Sequence, residues 1–313
     1  MDRRHFLQTS LGGLGCALFP QFLLTQEKRV VRKEKKLTLL HTNDQHSRIE
    51  PFEKSYIRNP NQGGFARRAK LISEIRKTEP NVLLLDSGDI FQGTPYFNLF
   101  GGALELKLMS LMHYDASTLG NHEYDNGLEG FLKVLPEAKF PFITSNYDFR
   151  NTVLEGKTRP YKTFRRDGIK IGVFGLGIEL DGLVSKSNYK ETVYEDPISV
   201  AQHFGSFLKK EKKCDLVICL SHLGYDYKMD KKKVSDLHLA RQTENIDFIL
   251  GGHTHTFLPE PQKHKNRKGK QVIINQVGWA GLLLGRIDIF FDSEKKIKYI
   301  AWDTKKIDNK IIA

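Results

Sequence analysis

Five short blocks of this chain carry side chains able to hold metal ions, and each follows an apolar run. They read His41-Thr42-Asn43-Asp44-Gln45-His46, Asp86-Ser87-Gly88-Asp89-Ile90-Phe91-Gln92-Gly93, Gly120-Asn121-His122-Glu123, Ser221-His222-Leu223-Gly224 and Gly251-Gly252-His253-Thr254-His255. Asp44, His46, Asp89, Asn121, His222, His253 and His255 offer seven oxygen and nitrogen donors. That exceeds the needs of one tetrahedral site. It suits two divalent ions about 3.5–4 Å apart, bridged by a carboxylate and a water. The set contains no thiolate, which favours Mn, Zn, Fe or Co over a purely structural zinc. If the strand conformation continues into the blocks, Asp44 and His46 share a face, as do His253 and His255.

The elements that must position these blocks follow from periodicity. Short, β-branched-rich apolar runs occur at residues 37–40, 82–85, 171–174, 216–220, 248–250, 272–274 and 287–291. Between them lie helix-like stretches at 64–78, 103–112 and 198–208. In the first, Phe65, Ala69, Leu71, Ile72 and Ile75 approximate a 3.6-residue period. Alternating strand and helix predict a layered α/β fold. In such folds ligands bind beyond the carboxyl ends of the strands, so distant blocks converge on one edge. No internal repeat and no linker divides the chain after residue 36.

With D-x-H, G-D-x-x-Q-G, G-N-H-E, S-H-x-G and G-G-H-T-H each present once and in order over residues 37–292, the sequence resembles the metallophosphoesterase (calcineurin-like) superfamily. It is most similar there to the catalytic domain of bacterial periplasmic 5'-nucleotidases. The resemblance implies an α/β/β/α sandwich, with residues 37–313 as the catalytic domain. It implies a first metal on Asp44, His46 and His255, a second on Asn121, His222 and His253, and Asp89 bridging both. His122 and Asp125 match the family's catalytic pair: Asp125 would orient the imidazole, and His122 would donate to the phosphoryl or leaving-group oxygen. The implied reaction is hydrolysis of phosphate esters, nucleotides foremost, by attack of a hydroxide bridging two ions (Mn, Zn or Fe). The family's nucleotidases carry a further C-terminal domain that sandwiches the nucleobase, and no counterpart is read in this sequence. A separate chain supplying that domain is therefore an expected partner. The alternatives are a 2',3'-cyclic nucleotide phosphodiesterase, a thiosulfohydrolase-like esterase and a non-catalytic exported binding protein. The intact donor set argues against the last.

Composition narrows the remaining classes. With 313 residues, 39% hydrophobic, the chain can bury a sizeable core. The net charge of +12 sits in scattered runs near 33–36, 209–213, 231–233 and 263–270. No aromatic-interleaved platform accompanies them, so a solvated basic surface is expected and nucleic acid is not an expected partner. Cys214 and Cys219 are five apart in an apolar run and, as a strand, would face opposite ways, too far apart to bond. Arg3-Arg4-x-Phe6-Leu7 resembles a twin-arginine export signal. Residues 1–26 are expected to be that signal and 27–36 a basic linker, making the protein exported and periplasmic, soluble or tethered by its N-terminus. No second segment of spanning length follows.

Other polar residues in the blocks have more ordinary expected roles. His41, Glu123 and Gln92 would support the site or pack, and Asp86 would hold its loop. His5, His113, His203, His238 and His264 lack glycine-turn context. Arg67 or Arg68 would approach substrate or face solvent, and Tyr96, Tyr225 and Phe257 would wall a pocket or join the core.

Overall fold

A computed structural model describes residues 34–230 and 232–311. The expected export signal over residues 1–26, and the linker up to residue 33, lie outside the described residues. In chain order the first half runs through β1 (Lys35–Thr42), α1 (Phe65–Thr78), β2 (Val82–Asp86), α2 (Pro95–Phe100), α3 (Ala103–Leu111), β3 (Ala116–Ser117), α4 (Gly127–Val134), β4 (Tyr147–Asp148), β5 (Tyr161–Arg166) and β6 (Ile169–Leu176). The second half adds α5 (Lys186–Tyr189), β7 (Val193–Tyr194), α6 (Pro197–Ser206), β8 (Leu216–Ser221), α7 (Asp236–Gln242), β9 (Phe248–Leu250), β10 (Gln262–Lys265), β11 (Gln271–Asn275), β12 (Leu283–Phe291), β13 (Ile297–Trp302) and β14 (Lys305–Lys306). Each apolar run read as a strand lies within one of these.

The strands form two six-stranded mixed sheets and a two-stranded antiparallel ribbon, β4-β7. The first sheet has the order β13-β12-β1-β2-β3, with β14 also on β12; the second is β10-β11-β9-β8-β6-β5. Strands β1, β2 and β3 are mutually parallel, as are β6, β8, β9 and β11. Alternation within each strand explains the layers. Leu37 and Leu39 of β1, Leu83 and Leu85 of β2, and Leu216, Ile218 and Leu220 of β8 meet in one core between the sheets. Leu40, Val82 and Leu84 face outward onto α1, α3 and α4. Val217 and Cys219 face outward onto α6 and α7. The result is an α/β/β/α sandwich.

Polar contacts also cross the gap between the sheets. His41 is fully buried there, with Asn275 of β11 2.9 Å from its Nε2. Burial lowers its pKa to about 3, so it packs as a neutral ring. The two cysteines do not bond to each other, as expected, although not for the reason of opposite strand faces. Cys214 lies two residues before β8, not in it, and both thiols belong to the outer helical core; they are free.

Because Ile218 is wholly buried between the sheets, Ile218→Ala should cost about 2–5 kcal/mol through lost burial and an unfilled cavity. Urea unfolding followed by circular dichroism checks this; an unchanged midpoint would contradict the inter-sheet core.

Candidate metal centre

The parallel strands end on a common edge and deliver the blocks there. Residues 43–46 follow β1, 87–89 follow β2, 118–122 follow β3, His222 follows β8 and 251–255 follow β9. One sheet thus contributes Asp44, His46, Asp89 and Asn121, and the other His222, His253 and His255. The structure brings all seven together. Ligand-type atoms of Asp44, His46 and His255 lie within 4.8 Å of one another, as do those of Asp89, His222 and His253, and those of His46, Asp89 and His122. Asn121 joins the second group, its Oδ1 2.9 Å from His253 Nδ1. The third group is a departure: His122, expected to stand outside the donor set, has a ring nitrogen within ligand range of it.

The i, i+2 pairs reach the site by another route than strand alternation: Asp44 and His46 share one group, while His253 and His255 fall in two. Strand conformation stops at Thr42 and Leu250. Asp44, His46, His253 and His255 then adopt left-handed backbone, with φ of 49°, 48°, 70° and 51°; Asp89 does the same at 55°. Tight turns, rather than strand alternation, aim these side chains.

Hydrogen bonds hold each turn in place. The Asp44 carboxylate accepts from the His253 amide at 2.9 Å and from Asn43 Nδ2 at 2.5 Å. The Ala280 amide donates to the Asp44 carbonyl at 2.7 Å. Glu123, fully within the protein, accepts from the amides of Asp89, Ile90 and Gly120 at 3.0, 2.7 and 2.6 Å. Burial first, then the charge of Asp89, raises its pKa to about 7. Asp86 gathers Thr42, Gln45, Ser117 and the Gly88 amide at 2.6–3.0 Å. Gln92 is exposed in its turn.

The donor set fits cations on three observations. His222 Nδ1 donates to the Ser87 carbonyl at 2.7 Å. Its Nε2 is therefore left as a lone pair; it is buried without a hydrogen-bond partner, 3.0 Å from Asp89 Oδ2. His46 Nε2 and His255 Nε2 face each other at 2.9 Å. Pairs of acceptors this close repel unless a proton or a cation lies between them. Second, Asp44 and Asp89 are buried, and among the described residues neither pairs with a lysine or arginine. Buried carboxylates persist when paired or when they coordinate metal. Third, the cradle has no spare room: a Cβ on Gly120 would sit 2.1 Å from Asp89 Oδ1 and 2.7 Å from His222 Nε2.

Protons distribute according to the same charges. Burial acts against a charged His222, but the charge of Asp89 prevails and raises its pKa to about 10, so the Nε2 lone pair takes up a proton wherever no cation holds it. Burial would raise Asp89; the imidazoles of His222, His46 and His122 hold it far below the usual carboxylate range instead. Burial, with the neighbouring His222, lowers His253 to about 3, and burial lowers His46. At the rim, His122 Nδ1 lies 2.8 Å from Asp125 Oδ2. Burial opposes its charge, but Asp125 and Asp89 raise its pKa to about 8.

Several participants carry no signal in the five blocks. Gln45 is held by the buried Arg68, whose guanidinium donates to Gln45 Oε1; Arg67 instead binds Asn61. Trp279 stacks on His255 with ring centroids 5.6 Å apart. It follows β11 in Gly278-Trp279-Ala280-Gly281, a sixth strand-end turn that the sequence reading passed over. Phe257 packs against Gly278 and is half-exposed. Tyr225 packs on the outer core, and Tyr96 reaches Glu50 at 3.3 Å. His203 packs on Phe207, and His238 bonds Ser235.

Comparisons with known proteins agree with this geometry. The model of the calcineurin-like phosphoesterase family matches residues 37–257. The trifunctional nucleotide phosphoesterase protein YfkN of Bacillus subtilis is 33% identical, over 82% of this chain and 18% of its own length. The NAD 5'-nucleotidase of Haemophilus influenzae is 32% identical, over 94% of this chain and 51% of its own length. The crystal structure of a 5'-nucleotidase precursor from Thermus thermophilus superposes with a TM-score of 0.79 at 31% identity, covering 88% of this chain and 55% of that one. The chain spans about half or less of the length of these relatives.

Saturating Mn2+ should raise the thermal unfolding midpoint, because ligation ties the two sheets together; a hundredfold excess over Kd corresponds to about 2.7 kcal/mol. Asp89→Asn should abolish that shift and the bound metal measured by elemental analysis. An equal shift in the variant would remove Asp89 from the donor set.

Proposed function

This chain belongs to the calcineurin-like phosphoesterase family, and from that premise we propose that it hydrolyses phosphate esters, nucleotides foremost, in the manner of a 5'-nucleotidase. The observation that carries the reading is the convergence of the Asp44–His46–His255 and Asp89–His222–His253 groups. The relatives named for nucleotide phosphoesterase and 5'-nucleotidase activity support the substrate class. Nucleotide selectivity, and a partner chain presenting a base-binding domain, belong to this proposal and not to the family assignment.

In this reading Asp44, His46 and His255 would hold one divalent cation and Asn121, His222 and His253 a second, with Asp89 available to both. Bound Mn, Zn or Fe would neutralise charge on the phosphoryl oxygens and supply a water acidic enough to attack near neutral pH. The remaining chemistry belongs to this chain's own side chains. His222 is fixed in one tautomer by the Ser87 carbonyl, so its Nε2 is the donor atom. His122 is partly exposed at the rim and is held by Asp125, which keeps it charged near neutral pH. It donates a proton to the departing oxygen, and Asp125 positions it. No serine or cysteine nucleophile is required; both described cysteines are buried in the outer core.

Export completes the proposal. Arg3-Arg4-x-Phe6-Leu7 supports twin-arginine passage to the periplasm, a route that moves folded, metal-loaded protein. Among the described residues no helix is long and apolar enough to cross a membrane.

His122→Ala should keep its metal content and lower kcat by roughly 10²–10⁴ with an aryl phosphate, and chelation should silence the native protein until Mn2+ is returned. A variant turning over at the native rate would refute the acid role. Replacing Arg3 and Arg4 by lysine should leave the chain in the cytoplasmic fraction; undiminished export would exclude the twin-arginine route.

A further inference from the structure

The imidazoles of the two donor groups are not held equally. His222 is pinned by the Ser87 carbonyl at its Nδ1. His253 has Asn121 at its Nδ1, and its amide donates to Asp44. His46 is enclosed by its neighbours. His255 has neither support. Its side chain is 40% exposed, and its Nε2 faces His46 Nε2. Among the described residues no hydrogen bond fixes its Nδ1. A metal-binding imidazole ordinarily donates its second nitrogen to a carbonyl, a carboxylate or water, and loss of that partner costs roughly 10–100-fold in metal affinity.

What His255 has instead is a flat aromatic face. Trp279 lies on it with planes within 7° and ring centroids 5.6 Å apart, and meets His46 edge-on at 6.5 Å. The turn that bears the indole is clamped to the donor blocks on both sides. The Gly278 amide donates to the Thr256 carbonyl at 3.0 Å, next to His255, and the Gly278 carbonyl accepts from Asn43 at 2.6 Å. The Ala280 amide donates to the Asp44 carbonyl at 2.7 Å. Behind the indole, Phe52, Ala280 and Leu282 form a small core, with the Phe52 centroid 5.9 Å from it. So fixed, the indole covers one face of His255 and limits its rotation. An imidazole that carries a cation is electron-poor, and indole is the strongest side-chain partner for positive charge. The stack therefore favours the metal-bearing state of His255 over the free one.

We propose that Trp279 is a positioning residue for the cation on Asp44, His46 and His255, where its stack takes the place of the hydrogen bond that His255 lacks. The effect is confined to that group. The cation on Asn121, His222 and His253 does not depend on the indole, because Ser87 and Asn121 fix those rings. The assignment rests on the two-cation reading above and adds to it a residue that has no metal-binding atom of its own.

Equilibrium dialysis of the full chain against Mn2+, with bound metal quantified, tests this without any turnover. Native protein should take up a pair of ions. Trp279→Leu, which fills the space but offers no flat face, should weaken one dissociation constant roughly tenfold or more and leave the other unchanged. Trp279→Phe, which keeps an aromatic face, should recover most of the loss. The unaffected constant shows that the variant is folded. In a His255→Ala background Trp279→Leu should bring no further loss, because the indole acts through that ring. Native constants in Trp279→Leu overturn the assignment. So do two constants that fall together in folded protein, or a further loss on top of His255→Ala. Native protein that takes up no Mn2+ overturns the two-cation reading itself, and the assignment with it.

Discussion

Two carboxylates, Asp44 and Asp89, are buried among imidazole nitrogens, and among the described residues neither has a lysine or arginine partner. Taking an unpaired carboxylate out of water costs several kcal/mol even after the surroundings relax. The fold therefore needs positive charge at that spot. Divalent cations held by the imidazole nitrogens would supply it, in place of the proton that His222 otherwise takes up. The rest of the site is consistent with that demand. Amides from His253 and His122 point at the carboxylates, and Asn43 donates to Asp44. The imidazoles present lone pairs at distances where only a proton or a metal makes the contact favourable.

The same constraint links the two sheets. Donors from both meet at one edge, and the supporting bonds also cross between them. Ser87, beyond β2, donates its hydroxyl to Leu250 of β9 and accepts from His222 beyond β8. The turn after β11 clasps the first block, with Asn43 bonded to both Gly278 and Val277. An apolar sandwich alone would tolerate small slips of one sheet over the other, because burial is not directional. The polar edge removes that freedom, and it is also where chemistry requires the least.

Much of this was legible in the sequence. Strand runs read from β-branched apolar clusters fall inside observed strands, because a doubly covered sheet leaves near-continuous hydrophobic segments. The seven candidate donors could be picked out because all but Asn121 follow such a run, and the structure brings them to one edge. What could not be read follows from physics that periodicity does not encode. Trp279 has no donor atom, so a search for metal ligands passes it by, although it packs flat on His255. Arg68 looks like one of two helix-surface arginines, yet it is 1% exposed and braces Gln45. Only the neighbouring turn, where Gly281 leaves room for its guanidinium, decides that. That Cys214 shares the outer core with Cys219 was not legible either, because apolar composition does not mark where strand pairing begins.

The backbone at the donors was the hardest feature to foresee. Left-handed conformation at a residue with a Cβ costs of order 1–3 kcal/mol and survives only where surroundings over-determine it. Here it occurs at Asp44, His46, Asp89, His253 and His255. Extended backbone would send successive side chains to opposite faces and move each donor farther from the sheet edge. A left-handed turn lets the chain double back at once, so that amide and carboxylate of neighbouring blocks meet, as His253 and Asp44 do. Gly88 and Gly120 permit the close passage: their backbones approach so nearly that a Cβ on Gly88 would fall 2.5 Å from the Gly120 nitrogen. Glycine at 120 and strain at 89 are thus two parts of one solution, since any side chain at 120 would occupy the space into which Asp89 has been turned.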